Sequence, residues 1–162
     1  MTDSAEEKVG ELLRARGWQL AVAESCTGGL IGHRLTNISG SSTYYTGSIT
    51  AYAYRAKVRL LEVSWDTLEE FGAVSEETVR EMARGIRRAL AADVGLSVSG
   101  IAGPGGGTPE KPVGTVWIGL STPERTLSLS AREHGGRLAN KSAFAQIALD
   151  FLIDYLEQDE SR

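Results

Sequence analysis

Three segments of this 162-residue chain carry side chains suited to chemistry. They are Glu24-Ser25-Cys26-Thr27-Gly28-Gly29, Tyr52 to Lys57, and the run Gly103-Pro104-Gly105-Gly106-Gly107-Thr108. Ser25 stands where a strand turns into a helix, and the N–H groups of Thr27, Gly28 and Gly29 behind it suit a phosphate or a developing oxyanion. The same position suits Ser25 or Thr27 as an ordinary helix cap, and the residues alone leave both readings open. Cys26 reads as packed, because no His partner stands at a motif spacing. Lys57 lies near a helix start, where a cation interacts poorly with the helix dipole. A lysine base must be neutral, so it needs desolvation or a neighbouring positive charge, for which Arg55 is placed. The competing reading of Lys57 is a plain solvated cation. The glycine run matches neither a Walker A loop nor a GxGxxG fingerprint. With Pro109 to Gly114 behind it, it is built for close backbone approach, to a ligand or to a strand.

The elements that must position these segments follow from periodicity. Ser4 to Gly17 reads as an amphipathic helix closed by glycine, Trp18 to Ala23 as a buried strand, and Thr27 to Leu35 as a helix. Asn37 to Ser42 is turn chemistry, Gly47 to Tyr54 a strand, Arg55 to Val63 a helix and Asp66 to Phe71 a short helical turn. Ser75 caps a helix running to about Ala92, with Val79, Met82, Ile86 and Leu90 at helical spacing. Val94 to Ile101 is a buried strand, and Val113 to Leu120 and Thr126 to Arg132 form a hairpin about Thr122-Pro123-Glu124. A helix from about Leu138 to Leu156 closes the chain, and a polar tail follows from about 157. The alternation predicts one α/β domain over 1–162, a three-layer α/β/α sandwich with a mixed, mostly parallel sheet of about five strands and a C-terminal antiparallel hairpin. In such sheets ligands sit beyond the carboxyl ends of parallel strands, so right-handed crossovers would gather the three segments at one edge.

Composition narrows the function classes. A formal net charge of -4 with interspersed signs gives no basic footprint for nucleic acid. The single cysteine, Cys26, excludes an internal disulfide, and His33 and His134 stand too far apart in sequence to suggest a zinc site. With a charged N-terminus and no stretch of membrane-span length, a cytoplasmic location is expected, with no membrane partner. The hairpin edge at Thr126 to Arg132 is a natural pairing surface for a homo-oligomer.

Taken in order, Ala23 to Gly29, Tyr44-Tyr45-Thr46-Gly47 through Tyr52 and Ala56-Lys57, Gly72-Ala73-Val74-Ser75, and Ser99 to Pro104 through Lys111-Pro112-Val113-Gly114 resemble the CinA C-terminal domain family. The best-described activity of that family is deamidation of nicotinamide mononucleotide, the PncC type of amidohydrolase. The resemblance implies a Ser25–Lys57 dyad with Tyr52 beside it. It also implies a nucleotide pocket drawing on Cys26, Thr27, Gly28, Gly29, Gly47, Gly103, Gly106 and Thr108, with Arg137 near the phosphate. The implied reaction needs no metal or organic cofactor, and its partner is a small nucleotide. Where the family commonly reads Tyr-Ser-Asn-Glu-Ala-Lys, this chain has Tyr52-Ala53-Tyr54-Arg55-Ala56-Lys57, and Gly-Asp-Arg becomes Gly135-Gly136-Arg137. A later family Arg is Lys141, which keeps the charge and loses the bidentate fork. These departures motivate the alternative of a non-catalytic nucleotide-binding or regulatory module. The family's competence-related name suggests a role in DNA uptake or repair, against which the acidic balance argues.

Overall fold

The computed structural model describes residues 3–160. Helix α1 (Ala5–Arg16) opens on a Ser4–Glu7 capping box and closes on Gly17 in the left-handed conformation. Then follow β1 (Leu20–Glu24), α2 (Leu30–Thr36), a short 3-10 turn at Ser41–Thr43, β2 (Tyr45–Thr50), α3 (Tyr54–Leu61), α4 (Trp65–Phe71), α5 (Glu76–Ala89), β3 (Val94–Gly100), β4 (Thr115–Ser121), β5 (Thr126–Arg132) and α6 (Arg137–Glu160). The sheet order is β2-β1-β3-β4-β5. β1 pairs in parallel with both β2 and β3, and the antiparallel pairs β3–β4 and β4–β5 place β4 against the direction of the other four. Helices cover both faces, making the three-layer α/β/α arrangement.

Alternation along the strands divides the core into two halves, because successive strand residues point to opposite faces. Leu20 and Val22 of β1, with Val94, Leu96 and Val98 of β3, pack against α1, α2 and α6. Ala21 and Ala23 pack on the other side against Leu61 of α3, Leu68 of α4, and Met82 and Ile86 of α5. The small alanines let α3 and α5 lie close to the sheet. Gly85 lets α3 and α5 approach one another: a Cβ there would sit 1.8 Å from the Leu61 carbonyl oxygen.

Several boundaries differ from the sequence reading. β2 ends at Thr50 rather than near Tyr54, because the Ala51 N–H makes a last bond to Glu24 O at 2.8 Å and the chain then turns into α3. The alternating Tyr52 and Tyr54 look strand-like yet lie beyond the sheet. α2 begins at Leu30, three residues later than its polar start suggests. α6 continues through the polar residues to Glu160. No helix among the described residues is long and apolar enough to cross a membrane, and no group of three or more His, Cys, Asp or Glu among them could hold a metal ion.

Candidate active site

The end of β1 sends two consecutive polar side chains to opposite faces of the sheet. Glu24 shares the parity of Leu20 and Val22 and is fully buried on the α2 side. Its Oε1 accepts from Thr27 Oγ1 at 2.6 Å and Ile31 N at 2.9 Å, and its Oε2 accepts from Gly32 N at 3.1 Å. The two N–H groups are free donors of the first turn of α2, so the carboxylate of a preceding strand does the work of a helix cap. The N-cap residue itself is Gly29, at φ 103°, with no side-chain cap bond. Neither Ser25 nor Thr27 caps α2.

Ser25 carries the strand one step further, its N–H donating to Val98 O at 3.1 Å. With the parity of Ala21 and Ala23, its side chain meets α3. There Lys57 Nζ donates to Ser25 Oγ at 2.8 Å, to Ala51 O at 2.8 Å and to Tyr52 O at 3.0 Å. Lys57 is fully buried, and the first turn of α3 holds no acid. Burial therefore pulls its pKa down from 10.5 to about 8, against an opposing pull from Cys26. Arg55, one candidate for this effect, is not among its causes and lines a separate groove with Trp65. The Cys26 thiol is pushed up to about 11 by its own burial, which keeps it protonated near neutrality and unlike a nucleophilic cysteine.

A cavity of about 240 Å³ opens over this pair. Ser25, Cys26, Tyr52 and Lys57 line it together with Gly103 and Gly106 of the glycine loop and Arg137. The Arg137 guanidinium donates to Gly103 O at 2.7 Å and reaches the Tyr52 hydroxyl at 3.5 Å, tying the glycine loop to the Tyr52 segment. The structure thus brings these seven residues of the sequence reading together. It does not bring Thr27, Gly28, Gly29, Gly47 or Thr108 to the cavity wall. Thr27 is engaged with Glu24, the Gly28 N–H with Ser25 O at 3.1 Å, and Thr108 with a turn to Lys111. Gly47 lies within β2, where an added Cβ would meet Leu90.

Two parts of the wall belong to segments that carry the family resemblance but were not assigned to the pocket from the sequence. Ser99, on the end of β3, faces the site within a run that reads as buried strand. Ala73 and Val74 come from the turn between α4 and α5. That turn is held in place by two tethers: the Ala73 N–H donates to the Tyr54 hydroxyl at 3.3 Å, and Lys111 Nζ donates to Phe71 O. The unusual Tyr54 is accordingly a support for the cavity wall from outside.

The CinA C-terminal domain model matches residues 2–156. A CinA-like protein of Salinibacter ruber is 52% identical over 148 residues, covering 90% of this chain and 35% of that protein. A putative competence-damage inducible protein of Halothermothrix orenii is 48% identical over 157 residues, covering 95% of this chain and 38% of its own length. The chain thus spans little more than a third of these relatives. Among solved structures, a competence-damaged protein (CinA) superfamily protein from Klebsiella pneumoniae superimposes with a TM-score of 0.89 at 32% identity, covering 96% of this chain and 99% of that one. The competence/damage inducible protein CihA of Agrobacterium tumefaciens gives a TM-score of 0.89 at 37% identity, covering 97% and 98%.

Proposed function

Since this chain belongs to the CinA C-terminal domain family, we propose that it is an amidohydrolase that deamidates nicotinamide mononucleotide through Ser25 and Lys57. The observation that carries this reading is the 2.8 Å contact of a fully buried, acid-free Lys57 with Ser25 Oγ at a cavity. A neutral lysine amine has two N–H donors and one lone pair. With the donors kept on the Ala51 and Tyr52 carbonyls, the lone pair faces the serine hydroxyl, the orientation a general base needs.

In the proposed reaction Ser25 Oγ attacks the amide carbonyl carbon as its proton passes to Lys57 Nζ. The Cys26 N–H, next along the chain at the cavity wall, is the proposed donor to the oxyanion. Lys57 returns the proton to the departing nitrogen, ammonia leaves, and an ester to Ser25 remains. Water then gives a proton to Lys57 and its oxygen to the carbonyl carbon, freeing nicotinic acid mononucleotide and restoring Ser25. The unspent N–H groups of Arg137 suit the substrate phosphate.

Purified protein incubated with nicotinamide mononucleotide should release ammonia, and Ser25→Ala should lower the rate by roughly a thousandfold. Nucleotide binding without ammonia above the Ser25→Ala background would instead make the chain a binding module.

A further inference from the structure

At the opposite end of the sheet, where β3 begins and β4 ends, a second cleft of about 520 Å³ is lined by Arg84, Arg87, Arg88 and Arg125. Residues 84, 87 and 88 of α5 have the i, i+3, i+4 spacing that stacks side chains on one helix face, and Arg125 comes from the β4–β5 turn across the cleft. Like charges so placed repel, and here they gather in a chain whose formal net charge is -4. One carboxylate, that of Glu124, belongs to the lining.

Three of the four guanidinium groups, those of Arg87, Arg88 and Arg125, have partners and keep further donors. Arg87 Nη1 donates to Thr122 O at 2.9 Å, while its buried Nε–H meets no acceptor among the described residues. Arg125 lies over the Tyr155 ring, 5.5 Å from its centroid. The turn that carries it is braced by Thr122 Oγ1, which accepts from Glu124 N and Arg125 N, both at 3.3 Å. Arg88 pairs with Glu62, its Nε donating to Oε2 at 3.0 Å and its Nη2 at 2.9 Å from the same oxygen. Each guanidinium has five N–H donors in a fixed fork, so these contacts orient Arg87, Arg88 and Arg125 and leave further donors for a ligand. Arginines held only for the C-terminal dipole of α5 would account for residues 87 and 88; they would not account for Arg125, which lines the same cleft from another element.

We propose that this cleft is a binding site for a small polyphosphate anion, separate from the cavity at Ser25. Arginine forks match phosphate oxygens two at a time, and the concave volume and distributed charge suit several linked phosphates better than one. Calorimetric titration of the full chain with inorganic triphosphate should show saturable binding that weakens as salt rises. The exposed pair Arg84→Ala/Arg125→Ala should weaken it about tenfold or more, whereas Ser25→Ala and Arg137→Ala should leave it unchanged. A nucleoside triphosphate run in parallel distinguishes the sources: equal affinity assigns the free polyphosphate, tighter binding the nucleotide, and either sustains the site. Absence of saturable binding, insensitivity to the double substitution, or loss in Arg137→Ala would overturn it. So would an oligonucleotide that binds where triphosphate does not.

Discussion

Glu24 and Lys57 are the charged residues in the described core that lie fully buried, and they stand on opposite faces of the sheet with Ser25 between them. Glu24 faces α2 and meets only donors, a hydroxyl and two backbone N–H groups. Lys57, on α3, meets two carbonyls and one hydroxyl, with a cavity at its tip. The first arrangement spends a carboxylate on ordering a helix start. The second withholds any counter-charge from an ammonium and so makes it easy to deprotonate. Burial is common to both; what differs is the use made of the group, a clamp on a helix start for Glu24 and a desolvated amine beside a hydroxyl for Lys57.

The sharpest way to break this contrast is Lys57→Arg, which keeps the charge and donors but cannot become a neutral base. Ammonia release from nicotinamide mononucleotide should fall roughly a thousandfold, and near-wild-type turnover would remove Lys57 from proton transfer. Wild-type kcat/KM should rise with pH through about 8, as Lys57 deprotonates.

Stability should follow the same group. Its folded pKa lies at about 8 against an ordinary 10.5, so between those values the unfolded chain holds more protons than the folded one. The Lys57 contribution to stability therefore rises with pH across that window, and is at its least favourable below about 8. Denaturant titrations of wild type and Lys57→Met at pH 7 and pH 10 would read it. The variant should lack that part of the rise, and an identical pH dependence in both would contradict the assigned shift.

Glu24→Ala tests the other side. It strands the Ile31 and Gly32 N–H groups inside the protein, for a loss of about 3 kcal/mol. Because α2 and the turn behind Ser25 lose their clamp, kcat should drop more than KM changes. The smallest effect is expected from Tyr54→Phe, which frees the Ala73 N–H and loosens the cavity wall. KM should rise about threefold at unchanged kcat, and a large fall in kcat would give Tyr54 a more direct part.

Much of the layered architecture was legible because hydrophobic periodicity and glycine placement are local signals. Ser25, Lys57 and the Gly103 loop stood out by type and by their places at strand ends. What misled was the start of α2: a polar, glycine-rich stretch looks like a capped helix when the true cap is a carboxylate on the preceding strand. Ala73 and Val74 have no chemical signature, and they reach the site through a tether from Tyr54 that is a contact between distant residues. Arg137 was found through family resemblance, since nothing local to it announces a bond to Gly103.

The one-residue offset between Glu24 and Ser25 also bears on how this chain can vary in length. Substitutions within β1 alter packing by degrees, whereas one inserted or deleted residue exchanges the two faces. An insertion would set the Glu24 carboxylate in front of Lys57, whose ammonium would then be held charged by an ion pair. The spacing of β1 is thus as much a part of the nucleophile as the serine oxygen, and an indel there would act like a point mutation in both members of the dyad at once.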